Sequence, residues 1–135
     1  MTDTSLIKKL GIKPKQRVLI LNAPERYSEQ IGTLLPVDVE LVTTPASSGN
    51  FDLVLQFVRN KAEVETDIPK AIELVQPGGR LWISYPKQSS KIPTDINRDI
   101  LWKVFPNSEW RPVTQISIDE IWSALRFRPT SEVGT

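Results

Sequence analysis

The sequence predicts an α/β domain built on a mainly parallel six-stranded sheet with helices on both faces. Two observations carry this. Short apolar or β-branched runs alternate with segments of helical period, the pattern of parallel strands joined by helices. The last two runs are separated only by Asp119-Glu120, so the chain ends in a hairpin that adds one antiparallel strand. At 135 residues the chain has the size of one domain. We assign it to residues 1–129, with a flexible tail at 130–135.

Thr2 to Leu10 reads as a short helix ended by Gly11, which takes the left-handed conformation at little cost. Arg17 to Asn22 is an apolar run too short for a helix and reads as a strand buried on both faces. Pro24 opens a helix to about Leu35, with Tyr27, Ile31 and Leu34 along one side. Val37 to Thr43 is the second strand, and Thr44 to Asn50 is a small, polar loop. Phe51 to Val58 is the third strand.

The next helix starts near Asn60, with Glu63 at capping-box spacing, and carries Ile68, Ala71, Ile72 and Val75 as its apolar stripe. Pro69 is expected to kink or split it, and Pro77-Gly78-Gly79 to stop it. Arg80 to Tyr85 is the fourth strand, and Pro86 to Pro93 a long polar loop. Thr94 is expected to cap a helix with Ile96, Ile100 and Val104 on its buried side. Val113 to Ile118 and Ile121 to Phe127 form the hairpin.

Composition limits the chemistry. With no Cys, the chain has no disulfide, thiolate nucleophile or Cys-bound metal; with no His, it has no Ser-His-Asp or Cys-His catalysis. A net charge of +1 gives no general attraction to nucleic acid or membrane. No signal-peptide run and no apolar stretch of membrane-spanning length is present, so a soluble, cytoplasmic protein is expected. The cluster Lys8, Lys9, Lys13, Lys15 and Arg17 lacks the interleaved aromatics of a nucleic-acid face and reads as solvated surface.

Three segments resemble class I S-adenosylmethionine-dependent methyltransferases: Leu10-Gly11-Ile12-Lys13-Pro14-Lys15-Gln16-Arg17-Val18-Leu19, Phe51-Asp52-Leu53-Val54, and Pro77-Gly78-Gly79-Arg80-Leu81-Trp82-Ile83-Ser84. The resemblance implies a Rossmann-like sheet of order 2-1-3-4-6-5, with one helix and one strand missing between Thr43 and Phe51. A nearer likeness is to small bacterial proteins classed as a domain of unknown function. It is carried by Tyr85-Pro86-Lys87, by Asn97-Arg98-Asp99 and by the Ile118 to Phe127 hairpin.

A methyltransferase of that class has a Gly-rich turn after the first strand and a carboxylate ending the second. Here Asn22-Ala23-Pro24-Glu25-Arg26 holds no Gly, and Leu41-Val42-Thr43-Thr44 no carboxylate. The expectation is therefore no cofactor, with S-adenosylmethionine disfavoured.

Ligands in open α/β sheets bind beyond the carboxyl ends of the parallel strands. With the implied strand order, Asn22, Arg59, Lys87, Asp119 and Trp122 converge there, near Glu25, Tyr85 and Thr94. Read functionally, these eight form a pocket for an anion or nucleotide. Arg59 and Lys87 attract phosphate or carboxylate, Thr94 opens a helix with free N–H groups, and Trp122 offers a stacking face. Read structurally, the cations are solvated, Asp119 shapes a turn, and Trp122 packs in the core. The expected role is a non-catalytic binding module for a small anionic ligand or a protein partner. The alternatives are a methyltransferase with an atypical cofactor site and a purely structural or interaction protein.

Overall fold

A computed structural model describes residues 5–24, 31–33, 35–43, 51–87, 93–105 and 110–129. The start of the first predicted helix, most of the Pro24–Leu35 helix including Glu25, the 44–50 loop, residues 88–92 and the 130–135 tail lie outside the described residues. In chain order the elements are α1 (Ser5–Leu10), β1 (Arg17–Leu21), β2 (Glu40–Val42), β3 (Phe51–Phe57), α2 (Lys61–Leu74), β4 (Val75–Pro86), α3 (Arg98–Val104), β5 (Trp110–Ser117) and β6 (Trp122–Pro129).

The six strands form one sheet in the order β2-β1-β3-β4-β6-β5. β1 pairs parallel with β2 and β3, and β3 pairs parallel with β4. Only β6 runs against its neighbours, β4 and β5. This is the Rossmann-like arrangement that the sequence predicts.

Because side chains alternate along a strand, each central strand feeds two cores. On one face Leu19, Leu21, Val54, Leu81, Ile83, Tyr85, Leu125 and Phe127 pack with Val64 and Ile68 of α2 and Leu101 of α3. On the other, Val18, Ile20, Leu53, Leu55, Phe57, Trp82 and Trp122 pack with Ile7 and Leu10 of α1 and with Ile31. The Trp82 indole N–H donates to the Leu10 carbonyl at 3.0 Å, which ties the end of α1 to the middle of the sheet. Gly11 follows at φ 87 and ends the helix in the left-handed region.

Several elements differ from their predicted bounds. β2 is only three residues long, Glu40–Val42, and both hairpin strands extend further than their apolar runs suggest. Pro69 does not split α2, which runs unbroken from Lys61 to Leu74. Pro69 and Glu65, whose carbonyl loses its partner to the imide nitrogen, are both exposed, so water takes up the lost bond.

The helix also stops before Pro77-Gly78-Gly79: Val75 is already extended, and that triplet belongs to β4. The β3–β4 register jumps from Phe51↔Val75 to Leu53↔Arg80, leaving Gln76–Gly79 as an irregularity against Asp52. The Asp52 carboxylate holds it in place, accepting from the Gln76 amide at 2.6 Å and the Arg17 backbone N–H at 2.8 Å.

Thr94 does not cap the following helix. α3 begins at Arg98, and Asn97 is its N-cap, its Oδ1 accepting from the Ile100 N–H at 2.9 Å. The Thr94 hydroxyl instead donates to the Arg59 carbonyl at 2.7 Å and accepts from the Ile96 N–H. Asn and Thr both suit caps; here the bond to Arg59 commits the threonine to the sheet edge.

Gly79 lies in the β4 irregularity, where a Cβ would come within 2.9 Å of the Asp52 and Gln76 carbonyl oxygens. Backbone atoms cannot give way as a side-chain tip can, so Gly79→Ala is expected to lower stability by about 1–3 kcal/mol. Chemical denaturation measures this, and an unchanged midpoint would show that the irregularity relaxes freely.

Candidate ligand-binding edge

The residues predicted to converge lie along one end of the sheet, but the alternation of side chains divides them. Trp122 is opposite Pro86 in the β4–β6 ladder. Its ring packs edge-on to Phe57, centroids 5.1 Å apart. Arg59 lies over that ring at 5.8 Å, a weak cation–π distance. Tyr85, one residue along β4, belongs to the opposite core, and Lys87 shares its side. The described contacts of the two cations differ: Arg59 lies over Trp122 and beside Glu63, whereas Lys87 bonds Ser117.

On the Trp122 side the polar groups engage one another. Glu63 accepts from the Arg59 N–H at 2.7 Å and from the Asn22 amide at 3.4 Å. Asn22 also donates to the Phe57 carbonyl. Asp119 accepts from the Ile121 and Trp122 N–H groups, both at 2.8 Å, and so shapes the hairpin turn. Trp122 is almost fully buried, which leaves little of its face for stacking.

On the Tyr85 side a polar cleft of about 450 Å³ opens between the sheet and the start of α3. Tyr85, Lys87, Asn97, Arg98, Gln115 and Ser123 line it, with Asp99 at its rim. The Lys87 ammonium donates to the Ser117 hydroxyl at 2.7 Å, and its backbone N–H to the Ile121 carbonyl. Burial raises the pKa of Tyr85 above its ordinary 10.0; Arg98 lowers it and Asp99 raises it by lesser amounts. The phenol is a neutral donor at physiological pH.

A second cavity of about 400 Å³ lies where β1, β2 and β3 end beside α2, lined by Leu21, Asn22, Thr43, Gln56, Asp67 and Lys70, with Leu74 at its apolar side. Asn22 stands at φ 61. Asparagine is among the few residues that enter the left-handed region readily, so Asn22 takes up without Gly a backbone conformation that glycine favours. Asp67 brings a carboxylate to the cavity whose β2 wall, at Thr43, has none. Gln56 is buried and uses its amide N–H on the adjacent Phe57 carbonyl.

Sequence reasoning missed Gln56, Glu63, Asp67, Arg98, Gln115 and Ser123 as site residues. Gln56 had a signal, as the polar residue near the end of an otherwise apolar run. Asp67 and Gln115 had none, since each reaches its cavity only through the packing of α2 and the register of the hairpin.

No protein-family model and no curated protein matches the sequence. The fold has solved relatives. A S-adenosylmethionine-dependent methyltransferase from Aquifex aeolicus aligns over 93% of this chain and 89% of its own, at 12% identity and TM-score 0.62. Aeropyrum pernix fibrillarin with natively bound S-adenosyl-L-methionine aligns over 93% and 73%, at 10% identity and TM-score 0.62. A Thiobacillus denitrificans methyltransferase in complex with S-adenosyl-L-homocysteine aligns over 96% and 94%, at 10% identity and TM-score 0.59. The chain has a methyltransferase-like fold. The expectation of no cofactor is overturned by these neighbours: structures that hold S-adenosylmethionine or its demethylated product share the fold over more than nine-tenths of this chain. Among the described residues, no helix is long and apolar enough to cross a membrane.

The raised pKa of Tyr85 has a sign. The unfolded chain gives up this proton more readily than the native one, so the contribution is fully present below pH 10.0 and is lost as pH rises through the folded value. Alkaline unfolding is expected to flatten in Tyr85→Phe relative to the parent. Identical pH profiles above 10.0 would assign the alkaline loss to other groups.

Proposed function

We propose that this domain binds a small zwitterionic ligand at the carboxyl edge of β1, β2 and β3, and that S-adenosylmethionine is that ligand. The observation that carries the reading is the left-handed Asn22 at the mouth of the 400 Å³ cavity, within the ~300–1,000 Å³ of small-molecule sites. The donor set suits the molecule. Asp67 offers acceptors for sugar hydroxyls, Lys70 a cation for a carboxylate, Thr43 a hydroxyl, and Leu21 and Leu74 an apolar wall for a flat ring. The neighbouring structures support the choice of ligand. When bound, S-adenosylmethionine supplies a methyl group on a sulfonium centre; this chain's residues hold and orient it.

A second reading, a protein partner, is favoured by one feature. Trp102 of α3 is 56% exposed beside a shallow hollow formed with Pro112, Val113 and Leu125. Large exposed aromatics mark interaction surfaces when they are part of a patch.

Calorimetric titration with S-adenosylmethionine and S-adenosylhomocysteine tests the first reading. Saturable binding is expected, weakened about tenfold by Asp67→Ala, which removes charge-assisted hydrogen bonds. Asn22→Val is expected to cost about 1–2 kcal/mol of stability, since a β-branched residue is strained at positive φ, whereas Asn22→Gly is tolerated better. A flat isotherm with both ligands up to ~1 mM, an affinity of about −4 kcal/mol, would sink the reading.

A further inference from the structure

We propose that the cleft between the sheet and α3 is a second ligand site, built for the oxyanion group, carboxylate or phosphoryl, of a small molecule. It uses none of the residues assigned to the cofactor cavity, so it stands or falls separately.

Three distant segments meet there: Tyr85-Pro86-Lys87, Asn97-Arg98-Asp99, and the hairpin through Gln115 and Ser123. Asn97 is there as the N-cap of α3 and Tyr85 as part of the core, but Lys87, Arg98 and Gln115 have no such structural role and still line the same cleft.

The floor of the cleft carries the stronger argument. Tyr85 and Ser123 are direct partners in the β4–β6 ladder, so their side chains leave the same face. The residues are only 4% and 6% exposed. Both line the cleft, and neither hydroxyl is enclosed: among the described residues, neither is a fully buried side-chain atom without a partner. Their hydroxyls therefore open into the cleft, where they can donate to a bound oxygen. Two such groups side by side at the base of a polar cleft point to a guest that accepts from both.

The charges at the rim identify the guest. Lys87 is held by Ser117, and Arg98 presents a planar guanidinium that matches carboxylate or phosphate geometry. Asp99 opposes them, but it lies 3.6 Å from Arg98 and is 75% exposed, so water screens it. Among the described lining residues, Lys87 and Arg98 are the cations and Asp99 the one carboxylate. Its volume of about 450 Å³ fits a small molecule. Neutral donors below and cations above select an oxyanion that can be hydrogen-bonded in depth. Chloride, a single acceptor atom, cannot place separate oxygens on the hydroxyls and on the cations at once.

The test is a titration of isotopically labelled protein, followed by amide shifts, with inorganic phosphate and separately with acetate at constant ionic strength. Saturable shifts are expected at residues 85, 87, 97–99 and 123. Arg98→Ala and Lys87→Ala should each weaken binding about tenfold. The double variant Tyr85→Phe with Ser123→Ala should weaken it severalfold, with native spectra retained. Three results would overturn the proposal: no saturable shift with either anion up to ~20 mM, equal shifts with sodium chloride, or affinity unchanged in the double variant. Shifts confined to Asn22, Thr43 and Asp67 would assign the anion to the cofactor cavity and count against the second site.

Discussion

Everything at the carboxyl edge depends on the register of β4. This strand lies between β3 and β6, and its alternation decides which side of the sheet each functional group faces. A slip of one residue would send Tyr85 toward α1 and Trp82 toward α2, exchanging the two cores. Two buried bonds resist this. The Trp82 indole reaches the Leu10 carbonyl and the Ser84 hydroxyl reaches the Ser123 carbonyl, both at 3.0 Å. Each adds only about 1 kcal/mol when made, but an orphaned buried partner costs roughly 1–3 kcal/mol. The penalty for the wrong register exceeds the reward for the right one, which is how a few polar contacts fix an otherwise apolar sheet.

That register makes the edge two-sided. At the start of α2 Glu63 holds Arg59 and Asn22 together, and Phe57 packs edge-on to Trp122. The Tyr85 side is open. A third space lies where β1, β2 and β3 end beside α2. Residues 43–50 alone join two parallel strands that flank β1, whereas such crossovers usually take a dozen residues or more and carry a helix.

The fold was legible because hydrophobic period is a local signal. The run Arg17 to Asn22 can be little else than a buried strand, and Asp119-Glu120 between two β-rich runs can be little else than a hairpin. Element ends were less legible where two residues compete for one role. Thr94 and Asn97 both suit an N-cap, and only the carbonyl of Arg59, brought from 35 positions away, decides between them. The candidate site was legible in its residue types and not in its faces. Tyr85, Lys87 and Trp122 all lie at the right edge, but their division into opposite sides needs the β4–β6 register, which no local pattern contains. The missing glycine bears on how closely the backbone can approach a ligand; Asn22 reproduces the left-handed φ of such a turn, though it carries a Cβ.

The helix starts near this edge have already committed part of their N–H groups to side chains. Asn60 accepts from the Glu63 N–H at the start of α2, and Asn97 from the Ile100 N–H at the start of α3. Asp95 further takes the Lys61 N–H. Amides bonded to side-chain oxygens no longer offer the free donors that make a helix terminus attractive to phosphate. Recognition of a charged ligand in this domain therefore falls to side chains: hydroxyls that impose direction, and cations that supply attraction but yield to salt. Such a site discriminates by hydrogen-bond geometry more than by charge, and that suits small molecules whose competitors in solution are abundant simple anions.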